Sequence, residues 1–275
     1  MRASSTESGR RAGTLVSASD DESQNGDPIV IRGVHKRFGD VEVLRDLNVS
    51  FKNNAITTIL GPSGTGKSVL LKHILGLLEP DIGTVEVSGV DIWSLTEDEV
   101  YELRKRFGVL FQDGALFGSM SVFDNVAHPL RMHTEYSEEK ITELVWERLG
   151  EVGLQEAADK EPGAISGGMR KRAGFARALI MNPDLVMFDE PDSGLDPVRT
   201  SLLNRLILQM HKQYGGTYVL VTHDIETARK VSDYVGMLWK GQLVYYGSLQ
   251  GALESEDPFV RQFISGEEDG PLGMD

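Results

Sequence analysis

The sequence predicts an α/β fold with a mostly parallel core sheet, an antiparallel β subdomain ahead of it and an inserted helical subdomain. Three observations carry that expectation. Residues 55–60 form an apolar, β-branched run with no solvated face, as in a strand covered on both sides, and a glycine-rich turn and a helical pattern follow at once. From Met169 onward helix and strand patterns alternate, which implies parallel strands joined by crossover helices. Between these stretches, about 50 residues after Phe111 have helical periodicity and no strand character.

Taken in order, residues 1–27 are rich in Ser, Gly, Asp and Glu, with little that is apolar beyond Leu15 and Val16. Such a segment cannot offset its own ordering entropy and is expected to be a disordered tail. The ordered domain is expected over 28–265. It opens on β-like stretches at 29–34 and 41–51, closed by the turn-prone pair Asn53 and Asn54. After the strand at 55–60, a helix from Gly66 buries Val69, Leu70, Leu71, Ile74, Leu75 and Leu78 and is expected to end near Pro80. A short β-like segment at 84–87 leads to a helix capped by Thr96, with Glu99 at the capping-box position. Residues 107–111 read as another buried strand. Helical patterns at 122–130 and 137–152 make up the helical subdomain, about 113–168. Helix 169–181, strand 185–188, helix 197–214, strand 218–221 and helix 225–231 then complete the alternation. Phe259, Val260, Phe263 and Ile264 have helical spacing, and the acidic C-terminal stretch that holds them either helps the chain dimerise or dock, or is a solvated tail; 266–275 close the chain as an acidic tail.

A chain of 275 residues allows one or two domains at roughly 150 residues each, and 40% hydrophobic with 25% charged residues is the composition of an ordinary globular protein, not of a fibrous one. The net charge of −14 is uneven: residues 1–28 carry −2 and residues 254–275 carry −6, which leaves −6 for the body. An acidic body repels nucleic-acid phosphates, so no nucleic-acid partner is expected. The absence of cysteine excludes disulfides, thiolate catalysis and cysteine-type zinc sites. No apolar run reaches the about 18–20 residues of a membrane helix; the stretch 69–78 is interrupted by Lys72 and His73. The N-terminus has no continuous apolar h-region, so a cytosolic chain without a secretory signal is expected.

The chemistry is carried first by Gly61, Pro62, Ser63, Gly64, Thr65, Gly66, Lys67 and Ser68, which fit the phosphate-loop pattern G-x-x-x-x-G-K-[ST] between a predicted strand and a predicted helix. Glycines let backbone N–H groups curl around an anion, and the helix N-terminus adds its positive end. Lys67 is placed to reach the β- and γ-phosphates and Ser68 to ligate Mg²⁺. Asp189 and Glu190 follow directly on the apolar strand at 185–188, which delivers both carboxylates to the carboxyl edge of the sheet beside that loop. Asp189 is expected to hold the Mg²⁺ shell and Glu190 to polarise the attacking water. Ser166, Gly167 and Gly168 open a second helix, whose hydroxyl and backbone N–H groups form another anion-binding end.

With Met169 and Arg170, that last stretch resembles the signature sequence of ATP-binding cassette (ABC) ATPases, although Met169 stands where glutamine is commonest in the family. The resemblance covers about residues 29–265 and implies an ABC-type P-loop NTPase that hydrolyses ATP with Mg²⁺. Gln112 then looks like the Q-loop glutamine, a contact of metal and water. Ser193, Gly194, Leu195 and Asp196 resemble the D-loop, and His223 the switch histidine at the γ-phosphate. Phe38 matches the aromatic that stacks on adenine, with Val43 beneath the ribose. Each motif occurs once, so the resemblance implies a head-to-tail pair of chains in which each signature closes the partner's nucleotide. Within the family, the stretch from Phe111 to Val122 with Asn125, Val126, Ala127, Pro129 and Leu130 is similar to the ATPases of Mce-type lipid transporters and the related Mla-type ATPases, and Ser166 to Arg172 with Glu190, Pro191, Asp192, Ser193 and Gly194 resemble the actinobacterial ATPases of that group. Gly114, Ala115, Leu116 and Phe117 would there receive a helix of an integral-membrane permease, or they pack the subdomain core; both readings can hold at once. The implied role is the ATPase subunit for lipid or sterol transport with Mce-type lipid-binding proteins, peripheral at the cytoplasmic face of the cell membrane through the permease. A polar-solute importer ATPase is the alternative. A non-transport ABC protein is disfavoured, because the chain has neither a long inserted coiled coil nor a second cassette.

Overall fold

In the computed structural model, residues 26–267, 270 and 271 are described. The expected N-terminal tail therefore lies outside the described residues as far as residue 25, and so does most of the acidic tail. Two sheets organise the chain. The first contains β1 (Ile29–Phe38), β2 (Val41–Phe51), β4 (Ile82–Val87) and β5 (Val90–Asp91) in the order β2-β1-β4-β5, and every pairing is antiparallel. The second contains β3 (Ile56–Leu60), β6 (Phe107–Leu110), β7 (Leu185–Asp189), β8 (Thr217–Thr222), β9 (Tyr234–Trp239) and β10 (Gln242–Ser248) in the order β10-β9-β3-β8-β7-β6. It is parallel except for its last pair, β9 with β10.

The continuous apolar strands are explained by what covers the second sheet. Along β7, Leu185 and Met187 join one buried cluster while Val186 and Phe188 join another, because successive side chains point to opposite faces. The first cluster also holds the antiparallel sheet and α1 (Lys67–Ile74); the second holds α3 (Val122–His133), α4 (Glu138–Glu151), α5 (Gly167–Leu179) and α6 (Pro197–Tyr214). With helix or sheet on both sides, a strand has no face to leave polar. α2 (Glu97–Arg104) carries the anticipated box: the Thr96 hydroxyl accepts from Glu99 N–H at 3.3 Å and the Glu99 carboxylate accepts from Thr96 N–H at 2.8 Å.

Several boundaries differ from the expectation. α1 stops at Ile74 rather than near Pro80, because Gly76 takes a positive φ of 63° and Leu77 N–H turns back onto Lys72 C=O at 2.8 Å, a turn only glycine makes without strain. β6 ends at Leu110, which leaves Phe111 41% exposed in the loop that follows. The C-terminal residues with helical spacing form α9 (Pro258–Ser265), in which Val260 and Ile264 pack on Leu60, Ala228, Val235, Met237 and Ala252. Val260 and Ile264 are thus core residues of this chain, with Phe263 packed against that core, and not part of a solvated tail. The strands β9 and β10 and the short α8 (Leu249–Leu253) extend the sheet and its cover beyond the elements expected from the sequence.

Candidate functional site

The loop 61–66 leaves the carboxyl end of β3, the central parallel strand, and enters α1 at Gly66, which has a φ of 103°. Among the described residues α1 is the one α-helix without a side-chain cap; α2 to α6, α7 (Ile225–Val231), α8 and α9 all have one. Its first-turn N–H groups are therefore left for an anion, where an ordinary helix would satisfy them with a Ser, Thr or Asp oxygen. Lys67 is buried and its Nζ donates to Gly61 C=O at 2.8 Å and Pro62 C=O at 2.9 Å, which folds the ammonium back over the loop. Thr65 Oγ1 donates to Pro62 C=O at 2.9 Å and closes the loop from within.

Neighbouring strands bring the carboxylates to this loop. Ser68 Oγ donates to Asp189 Oδ1 at 2.8 Å, so the hydroxyl of α1 and the last carboxylate of β7 share one point. A hydroxyl beside a carboxylate is an oxygen donor set of the kind Mg²⁺ takes together with phosphate oxygens and water, and two protein ligands suffice for that ion. Glu190 Oε1 lies 3.5 Å from Lys67 Nζ and 3.8 Å from His223 Nδ1, between the phosphate loop and the loop after β8. Glu190 has a φ of 46°, uncommon for a residue with a side chain, and its N–H is held by Val221 C=O at 2.9 Å. Gln112 joins indirectly, through a 3.1 Å hydrogen bond from Nε2 to Ser193 Oγ. Val43 packs on the loop at Gly66, where an added Cβ would meet Val43 C=O at 3.1 Å, while Phe38 stands 49% exposed at the end of β1. The loop 61–68, Asp189, Glu190 and His223 thus converge, with Gln112 joined through Ser193 and Val43 against the loop.

Ser166, Gly167, Gly168 and Met169 do not join this group: among the described residues no hydrogen bond or ion pair links them to the loop 61–68. Ser166 caps α5, its Oγ accepting from Met169 N–H at 3.3 Å, and Gly168 lies near Leu195 and Arg199 at the start of α6. Asp196 caps α6 through Val198 and Arg199 N–H, both at 3.0 Å. The stretch Ser193, Gly194, Leu195 and Asp196 thus runs from beside Gln112 to beside Gly168.

Two buried charges next to the site escape sequence reasoning. Lys171 stands in the middle of the basic run 170–172 on α5. Its Nζ goes under α5 to donate to Pro191 C=O at 2.8 Å and to Ser193 C=O. Burial holds its ammonium below the usual lysine range, with Asp192, Asp113 and Glu190 pulling the other way. Asp192 is pushed above the usual aspartate range by burial, against a bond from Thr222 Oγ1 at 2.8 Å to each carboxylate oxygen. The one available signal was position, since both residues sit within the motifs already singled out.

A family model described as ABC transporter matches residues 44–193. The chain is 49% identical over 249 residues to the probable ribonucleotide transport ATP-binding protein mkl of Mycobacterium tuberculosis, covering 90% of this chain and 69% of that one. It is 40% identical over 242 residues to MlaF of Escherichia coli, an intermembrane phospholipid transport system ATP-binding protein, covering 88% and 90%. Among solved structures, the dimeric ATP-binding cassette MJ0796 bound to ADP and Pi in a post-hydrolysis state matches with a TM-score of 0.74 at 29% identity, over 80% of this chain and 98% of that one. With fold, motifs and relatives in agreement, the chain belongs to the ABC transporter family, as an ATP-binding subunit related to the Mkl and MlaF ATPases.

Proposed function

We propose that the chain hydrolyses ATP with Mg²⁺ to drive lipid or sterol transport by an Mce-type assembly. The observation that carries the ATPase part is the uncapped α1 with Lys67, Asp189 and Glu190 converging at its start. In this reading the loop 61–66 and the α1 N–H groups grip the phosphates while Lys67 moves from its carbonyl partners to the β- and γ-phosphates. Ser68 and Asp189 would hold Mg²⁺ together with Gln112, and the ion, when bound, would supply positive charge to offset that of the phosphates. Glu190 orients the attacking water and takes its proton at a carboxylate oxygen, and His223 contacts the γ-phosphate. Phe38 stacks on the adenine, with Val43 under the ribose.

Because Ser166, Gly167, Gly168 and Met169 lie apart from the chain's own loop, a second copy supplies them, and the dimeric cassettes among the structural relatives support that arrangement. The D-loop then lies along the seam between copies. The helical subdomain, about 113–168, is proposed as the face toward an integral-membrane permease. Leu116 packs on the buried core while Phe117 stays 46% exposed, so the stretch both fills the subdomain and offers an apolar contact. Among the described residues no helix is long and apolar enough to cross a membrane, and attachment at the cytoplasmic face is proposed to come from the permease.

The phospholipid cargo named for MlaF supports the lipid reading, together with the likeness around Gln112. The ribonucleotide cargo named for mkl favours the second reading, a polar-solute transporter. An affinity pull-down of tagged Glu190→Gln chain from membranes with ATP and Mg²⁺, read by mass spectrometry of proteins and lipids, separates the two. A permease with Mce-type proteins and bound lipid is expected; a permease of another type without lipid would overturn the lipid branch.

A further inference from the structure

The buried lysine of the signature helix has a place that the hydrolysis reading leaves unused. Lys171 sits one turn inside α5, behind the Ser166 cap, with 5% of its surface exposed. Its Nζ reaches Pro191 C=O at 2.8 Å and Ser193 C=O, the two carbonyls that flank Asp192. These three residues follow Glu190 in the chain, and Ser193 N–H bonds back to Glu190 C=O at 3.2 Å. The same short loop is held from two further sides. Asp192 accepts from Thr222 Oγ1, which in turn accepts from Asp224 N–H at 3.0 Å, so the loop is tied to the strand end that carries His223. Ser193 Oγ accepts from Gln112 at 3.1 Å. An apolar side chain of similar length would fill the space under α5 without the cost of burying a charge. What it would not do is donate to two inward-facing carbonyls, and a buried carbonyl left without a donor is costly.

We propose that Lys171 is a positioning residue that couples the signature helix to the chain's own Glu190. Engagement of the partner copy's nucleotide by Ser166, Gly167 and Gly168 loads α5, and Nζ passes the displacement to the Pro191 and Ser193 carbonyls. Glu190, held at its positive φ by Val221 C=O on one side and Ser193 N–H on the other, is set by where that loop sits. The inference rests on the hydrolysis reading above. It assigns Lys171 no contact with nucleotide, and the groups facing its ammonium are Asp192, Asp113 and Glu190.

The test compares Lys171→Met, Lys171→Arg and Glu190→Gln in the full chain, alone and with its co-purifying permease, measuring ATP binding, ATPase turnover and thermal unfolding. Lys171→Met is expected to bind ATP within about twofold of wild type while kcat falls about tenfold or more, because the phosphate grip is intact and the water-orienting group is displaced. Lys171→Arg, which keeps charge and donors, is expected to recover most of the loss. A folded Lys171→Met chain with kcat within about twofold of wild type overturns the proposal. So does a loss that arginine does not relieve, or a variant that no longer unfolds cooperatively, since the lysine would then serve only the fold. Failure of the hydrolysis reading is distinguishable: it would appear as wild-type chain without turnover, or as Glu190→Gln turning over at the wild-type rate.

Discussion

Glu190 is the side chain on which most of the site depends. It lies within 4 Å of both Lys67 and His223, at the end of a strand whose other carboxylate is already engaged by Ser68. Replacing it with glutamine removes the carboxylate proposed to accept the proton of water and leaves the loop, Lys67 and the Ser68–Asp189 pair unchanged. Turnover is expected to fall at least about a hundredfold with ATP binding retained, read by single-turnover hydrolysis beside equilibrium binding. Lys67→Ala is expected to behave in the opposite way and lose binding, because the buried ammonium is the main positive charge that the loop offers to phosphate. These residues were legible in the sequence because their chemistry is contiguous: a glycine loop closed by Lys and Ser, and two acids at the end of an apolar strand. Lys171 and Asp192 were not, because a lysine between two arginines on a helix looks solvated until the D-loop is seen folded beneath it.

At the level of elements, α5 comes up close against the loop after β6. A Cβ on Gly174 would meet Gly114 C=O at 2.8 Å and Leu110 Cδ1 at 2.9 Å. Gly174→Ala is expected to cost about 1–3 kcal/mol in denaturant unfolding, because backbone cannot yield as a flexible side chain does. The α3–α4 pair is fastened differently. Arg131 bridges Asp124 at 2.9 Å and Glu138 at 2.9 Å, and both carboxyls are held below their ordinary values of 3.8 and 4.5 by bonds from its guanidinium. Carboxyls with lowered folded values add stability above their ordinary values and lose it as pH falls through the lowered ones. Wild type is therefore expected to exceed Arg131→Met in Tm by a small, constant margin above about pH 5, and the margin is expected to shrink in acid below that. Alternation and periodicity revealed most of the core elements. β9 and β10 were missed: Gly236 breaks the apolar run of β9, and β10 is only half-buried, so neither shows the pattern of a covered strand. α9 showed its helical spacing, but its partners, Leu60 and Val235 among them, are distant in sequence.

For the whole molecule, the decisive feature is that one chain carries two glycine-rich helix N-termini, proposed to bind phosphate, that do not meet. The α1 end is uncapped and flanked by Lys67 and Glu190; the α5 end is capped by its own Ser166 and presents glycines beside Leu195 and Arg199. Each end makes a complete site only against the other end of a second copy, and that is the central claim of the proposed mechanism. It is tested most directly by the mass of the Glu190→Gln chain with and without ATP and Mg²⁺, by light scattering in solution and by subunit counting in the membrane complex. The account predicts a step from the 30.3 kDa chain to about twice that mass on adding ATP, and loss of the step when Gly168→Arg fills the signature end. A nucleotide-loaded Glu190→Gln chain that stays single both in solution and in the membrane complex would contradict it.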